Sequence, residues 1–257
     1  MNDLPEAFYL PTSDGGYEPT PATQSPWDAD AQHGGPPTAL LAHLLDASAG
    51  PGMRLARISV DFLGPIPRRP ARVEVTELRP GRRVRLAQAH LIVDGRATVT
   101  AHAWHIAVGP TPPAGSRPLL PPSLSAAPAG HVLPGLSDWG YGQAVEWRFN
   151  HRDSGTAQVW TRVRIPLVAG QPLTGLARTL IVADSANGLS LALPPEHWLS
   201  IPPTMTTTLL RPPTGDWVHM DCDTHLSDDG LGLARATLLD PGGYVGEVTQ
   251  PLLVRRR

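Results

Sequence analysis

The feature that most limits what this 257-residue chain can fold into is that it states one plan twice. His33-Gly34-Gly35-Pro36-Pro37-Thr38-Ala39-Leu40-Leu41-Ala42-His43-Leu44-Leu45-Asp46 is a glycine turn followed by leucines at helical spacing. Leu173-Thr174-Gly175-Leu176-Ala177-Arg178-Thr179-Leu180-Ile181-Val182-Ala183-Asp184 repeats the turn, the glycine and the apolar helix. The segments beyond each helix are echoed at a shift of 147 residues: Ser59–Pro67 against Thr206–Pro213, then Ala87–Gly95 against Ala234–Gly242. Two copies are too few and too long for a solenoid. A fused pseudo-dimer is the natural reading, with two helices related by a pseudo-two-fold axis.

Each copy reads as one long helix among extended strands. The first half has a short strand near Ala7–Leu10, with Trp27 pinning the loop ahead of the glycine turn. After the helix, strands are expected at Arg54–Leu63, Ala71–Arg79, Arg83–Val93 and Ala97–Ile106, with Asp94-Gly95 as a hairpin signal. The second half gives strands at Ala144–Asn150 and Val159–Ile165, and a helix at Thr174–Leu191. A proline-rich turn comes next, then strands at Thr204–Leu210, Trp217–Leu226, Gly232–Asp240 and Val245–Arg255. The class is α+β: antiparallel sheet curled round a central helix, twice. Residues 1–108 form the first unit and 138–257 the second. Gly109–Ser137, rich in proline and without period, is a linker expected to cross the surface and carry no catalytic residue.

Composition excludes several functions. A net charge of −2 makes no electrostatic case for nucleic acid. All 21 basic residues are arginine, the mark of a GC-rich genome and no functional signal. The one cysteine, Cys222, rules out an internal disulfide and a cysteine-based zinc site. No apolar run reaches membrane-spanning length and no secretion signal opens the chain, so a cytoplasmic protein without a membrane partner is expected. The ten histidines form no metal pattern; no metal and no cofactor is expected. G-x-S-x-G, P-loop and G-x-G-x-x-G motifs do not occur.

The residues left for chemistry are few. Bare amides at Gly34-Gly35, beside His33, could bind a negative charge or a polarised carbonyl. Asp184, read as lying mid-helix beside an apolar run, is expensive to bury unless paired or functional. Gln250 interrupts an apolar terminal strand and could hold one end of a water while Asp184 takes its proton. Thr204, Thr206 and Thr208 share a strand face, and Thr206 is preferred over Thr204 as a hydroxyl for a polar pocket.

Trp27-Asp28, Gln32-His33-Gly34-Gly35, Asp61-Phe62-Leu63-Gly64-Pro65-Ile66-Pro67, Arg79-Pro80-Gly81-Arg82-Arg83, Ala183-Asp184-Ser185-Ala186-Asn187-Gly188 and Gln250-Pro251-Leu252-Leu253-Val254-Arg255 occur in that order. Together they make the chain resemble the thioesterase-like double-hotdog proteins, relatives of acyl-CoA thioesterase II. The resemblance implies an acyl-CoA or acyl-carrier thioester substrate. It also implies a water held by an Asp on the second helix, a Ser or Thr on the next strand and a Gln on the last. Asp184 and Gln250 match the first and third. Aligned on Arg211-Pro212, the hydroxyl position falls on Pro202 and a following Asp on Thr204, which leaves the hydroxyl to Thr204 or Thr206. The expectation is hydrolysis, with His33, Gly34 and Gly35 binding substrate. The alternative is a non-hydrolytic acyl-CoA-binding module; under either reading a homo-oligomer is a possible assembly. A hydratase or dehydratase would need an Asp–His pair, with His102 taken as the counterpart of Gln250.

Overall fold

The computed structural model describes residues 4–110, 119–124 and 138–257. The first half runs β1 (Tyr9–Pro11), β2 (Tyr17–Pro19), α1 (Gly35–Ser48), β3 (Met53–Phe62), β4 (Ala71–Arg79), β5 (Val84–Val93) and β6 (Arg96–Ala107). The second runs α2 (Gly140–Ala144), β7 (Val145–Asp153), β8 (Thr156–Val163), α3 (Gly175–Ala183), α4 (Ala186–Leu189) and β9 (Trp198–Ile201). It continues with β10 (Thr204–Leu209), β11 (Val218–Leu226), β12 (Leu231–Asp240) and β13 (Gly243–Arg256).

The strands join in the order β1-β2-β4-β5-β6-β3-β10-β13-β12-β11-β8-β7, with β9 added beside β13. Outward from the β3–β10 seam, the two halves give the same sequence of strand types. This is the hotdog fold built twice. The repeated sequence pattern predicts a separate sheet around each helix. Instead Thr204–Thr208 pairs antiparallel with Arg57–Asp61, and the two sheets are one. Even an irregularity repeats: register shifts fall between Leu91 and Ile92 and, 147 residues on, between Leu238 and Leu239. Such bulges sharpen the local twist that lets a sheet curl. At Asp94-Gly95 both φ angles are positive, as a tight hairpin turn demands.

The helices lie within the curl. α1 packs on β3 to β6, and α3 and α4 pack on β8 and β11 to β13. Leu40, Leu41, Leu45, Leu180 and Ile181 are fully buried, each contributing about 1.5–3 kcal/mol. Three expectations need correction. The second helix ends at Ala183, and Asp184 and Ser185 separate it from α4, so Asp184 sits at a helix end. Trp27 does not bury to pin its loop; it is 58% exposed, with the Arg257 guanidinium 5.8 Å from its ring centre. The proline-rich stretch after α4 contains a strand, β9, paired with the end of β13. Most of the expected linker lies outside the described residues. Its described parts, residues 109–110 and 119–124, lie on the surface, where Pro122 and Ser123 carbonyls accept bonds from Trp160 and Asn150.

The two helices meet closely at one point. A Cβ built on Gly35 would overlap the carbonyl oxygen of Ile181, whereas one on Gly188 meets nothing within 4 Å. Gly35→Ala should therefore lower stability by about 2 kcal/mol or more, since neither backbone can yield without moving a helix. Gly188→Ala should be neutral or slightly stabilising. Chemical denaturation midpoints of the two variants check this.

Candidate active site

The start of α1 lacks the usual side-chain cap, because its N-cap is Gly34. Pro36 and Pro37 carry no amide hydrogen, so only the Gly34 and Gly35 amides of the opening turn need outside acceptors before Thr38, whose N–H bonds Gly34 O at 3.1 Å. Both glycine amides favour the ionised form of the neighbouring Asp184 carboxylate, and the Gly35 amide donates to His33 Nδ1 at 3.1 Å. α3, by contrast, caps itself: Thr174 Oγ1 accepts from Ala177 N at 3.1 Å. Of the two glycine-led helix starts, only α1 has its amides beside an acid of the other half.

Asp184 is held from its other side by Gln250. The Gln250 Nε2 donates to Asp184 Oδ1 at 3.0 Å, while its Oε1 accepts from Asn187 N at 3.1 Å, which fixes the amide orientation. Asn187 is fixed in turn, donating through Nδ2 to Ser200 O at 2.9 Å and accepting from Ser200 Oγ at 2.8 Å. Gln250 is fully buried and the Asp184 side chain is only 8% exposed. Burial raises the Asp184 pKa to about 7, against the opposing pull of the Gly34 amide, Gln250 and the Gly35 amide.

His33 Nδ1 stands 3.3 Å from Asp184 Oδ2. This is not an ion pair at neutral pH, because burial lowers the His33 pKa to about 3. Since Nδ1 accepts from Gly35, the ring proton belongs on Nε2. Two acceptors facing each other favour a proton on Asp184, in the same direction as burial. Tyr141 stacks flat on the imidazole, with ring centres 3.8 Å apart, and Trp139 stacks beyond it. The Tyr141 hydroxyl bonds Ser185 Oγ at 2.7 Å and donates to Ile181 O at 2.9 Å. Phe62 closes the site over Gly34.

The structure thus brings together Asp184, Gln250, His33, Gly34 and Gly35. It does not bring Thr204 or Thr206 to them. Thr206 pairs with Thr249, so it shares the outer face of the sheet, opposite the inward-facing Gln250. Its hydroxyl bonds Ser59 Oγ at 3.0 Å, and Thr204 Oγ1 donates to Val60 O at 2.8 Å. The inward hydroxyl of that strand is Thr207, fully buried and without a partner. His102 is not the counterpart of Gln250: by register it corresponds to Thr249, and Ala103 to Gln250. His102 instead bonds Gln88 at 2.8 Å. The histidine beside Asp184 is His33. Sequence reasoning named Ser185 and Asn187 only as polar neighbours of Asp184 and missed Tyr141 and Ser200; for Tyr141 the aromatic run Trp139-Gly140-Tyr141 beside the linker was the available signal. A cavity of about 440 Å3 lies elsewhere, lined by Gln158, Asp221, Asp223, Arg235 and Glu247 among others.

Among the described residues no helix is long and apolar enough to cross a membrane, and no group of three or more His, Cys, Asp or Glu side chains is placed to hold a metal. His33 should stay neutral, with its proton on Nε2, from pH 8 down to about pH 4. Imidazole 15N shifts measure this; a titration near 6.5 would contradict the burial described.

Comparison with known proteins agrees with this architecture. The acyl-CoA thioesterase N-terminal domain matches residues 23–106, and the acyl-CoA thioesterase C-terminal domain matches residues 116–254. No protein of curated function matches. A protein from Novosphingobium aromaticivorans is similar in structure, with a TM-score of 0.73, 22% identity, and 96% of this chain and 98% of that one covered. A protein with hot dog fold from Alicyclobacillus acidocaldarius gives a TM-score of 0.71 at 16% identity, covering 94% and 92%. The acyl-CoA thioesterase II TesB2 of Mycobacterium marinum gives 0.63 at 16% identity, covering 88% and 90%. At these identities the structures establish the fold alone; with both domain matches spanning most of its length, the chain belongs to the acyl-CoA thioesterase family.

Proposed function

We propose that this protein hydrolyses an acyl-CoA thioester to free acid and thiol, using a water activated by Asp184. The observation that carries the reading is the placement of Asp184: 8% exposed, bonded by Gln250 Nε2 at 3.0 Å and 3.3 Å from His33 Nδ1 at the start of α1, where burial pushes its pKa up to about 7. A carboxylate of ordinary pKa is a poor base at neutrality; one near 7 is matched to proton transfer there.

In the reaction, ionised Asp184 takes a proton from water as the water oxygen bonds to the thioester carbon. The tetrahedral species collapses with loss of the C–S bond, and the proton on Asp184 passes to the departing thiolate. Gln250 orients the water. For the Gly34 and Gly35 amides, at the positive end of α1, to polarise a carbonyl brought up to Asp184, they must turn to it from their present acceptors; one such donor is worth roughly 3 kcal/mol. Neither Thr204 nor Thr206 has a part, since both face away from Gln250.

One observation favours the non-hydrolytic acyl-CoA-binding alternative. Gln250 donates directly to Asp184, so a water has to enter between them before it can be activated. The two readings separate on thiol release from a panel of short, medium, long and aromatic acyl-CoAs. Hydrolysis predicts turnover that Asp184→Asn reduces on the order of 10²–10⁴-fold, with acyl-CoA binding retained. Gln250→Ala should cost less, because the proton acceptor remains. Thiol release absent across the panel, or undiminished in Asp184→Asn, would overturn the reading.

The pH dependence is set by the base. Only ionised Asp184 accepts a proton, so kcat should rise with pH through a midpoint near 7 and level off above it. Neutral His33 adds no second ionisation between pH 4 and 8. A kcat profile flat from pH 5 to 9 contradicts this assignment.

A further inference from the structure

We propose that Trp27 and Trp198, with Arg256 and Arg257, form a platform for the nucleotide end of coenzyme A at the rim of the Asp184 site; this rests on the acyl-CoA reading above. The two tryptophans come from opposite halves of the chain and each carries an arginine. Arg257 Cζ lies 5.8 Å from the ring centre of Trp27, and Arg256 Cζ lies 5.6 Å from that of Trp198.

Both tryptophans are tied to the site. Trp27 lies within a loop closed by the Gln24–Gln32 bridge and by Ser25 N donating to Ala31 O at 2.9 Å; the next residue is His33. Trp198 is on β9, two residues from the Ser200 that fixes Asn187 and, through it, Gln250. β13 runs unbroken from Gln250 to Arg256, which pairs with Trp198. Six residues at about 3.3 Å each place the platform about 20 Å from Gln250 along the strand. That is comparable to an extended pantetheine arm, which separates the thioester of CoA from its phosphates.

The chemistry also matches. Trp27 is 58% exposed on a tied loop, so an open indole face costs no rearrangement to present. Arg257 is held in place by its Nε bond to Pro195 O at 2.8 Å and its main-chain bond to His197 O at 3.1 Å. Neither Arg256 nor Arg257 has a carboxylate partner among the described residues. Arg255 differs, its guanidinium engaged by the carbonyls of Asp229, Gly230 and Val254. Asp28, beside Trp27, turns its carboxylate to the Asp30 amide at 2.9 Å. An adenine needs a π surface and phosphates need guanidinium donors. Both are present at the required distance from the chemistry.

The test uses the full chain and adenosine 3′,5′-bisphosphate, the nucleotide portion of CoA without pantetheine or thioester. Calorimetric titration should show binding that weakens with salt, about tenfold weaker in Trp27→Ala and in Arg257→Ala. Trp27→Phe keeps a ring and should keep most of the affinity. The preference for acyl-CoA over acyl-pantetheine in kcat/KM should also fall about tenfold in Trp27→Ala. Absence of binding by the wild type, or equal binding by wild type and Trp27→Ala, overturns the platform, as does an unchanged preference. If bisphosphate binding depends on Trp27 while no thioester is turned over, the platform stands and the hydrolytic reading fails.

Discussion

The contact on which the molecule depends is the approach of the α1 start to the end of α3. Only glycine at position 35 lets the backbones meet at Ile181, and that closeness brings the amide end of α1 beside Asp184. The two helix ends pull in opposite senses. The amide end of α1 favours a negative charge, while the carbonyl end of α3, where Asp184 caps the helix, disfavours one. Burial adds to the second. The outcome is a carboxylate balanced near neutrality, neither permanently charged nor permanently neutral.

The strand arrangement is close to two-fold symmetric, yet the site arises once. Where the second half offers Gln250, the first offers Ala103; where α1 leaves its opening amides to another group, α3 is capped by Thr174. The repeated plan gives a continuous sheet and two helices in contact, with the uncapped helix start in the first half and the acid and its glutamine partner in the second. Each half thus holds only part of the constellation.

Much of the fold was legible because its signals are local and repeated. Ala87, Ala89 and Leu91 alternate with Gln88 and His90 in the strand Val84–Val93 and are the buried set, Asp94-Gly95 dictates its own turn, and the 147-residue shift exposes the repeat without reference to any structure. What could not be read was how the halves join, since pairing of β3 with β10 depends on contacts far apart in sequence. The cluster proposed as the site was legible in its acid, its glutamine and its glycine turn, which are residue types out of keeping with their surroundings and which the fold brings together. Thr204 and Thr206 misled because a threonine-rich strand follows β-propensity as readily as function, and one residue decides which face is inward. Tyr141, and the part Asn187 plays, escaped notice because each acts through a partner about 44 to 63 residues away, a relation no spacing rule reveals.

The central claim is that the fold tunes Asp184 to ionise near neutrality, and it can be measured without substrate. Selective 13C labelling of aspartate carboxyls, with the Asp184→Asn variant to assign the resonance, follows this one group through a pH titration. The structure predicts a midpoint of about 7 for Asp184. A midpoint in the ordinary aspartate range, near 4, would contradict the account.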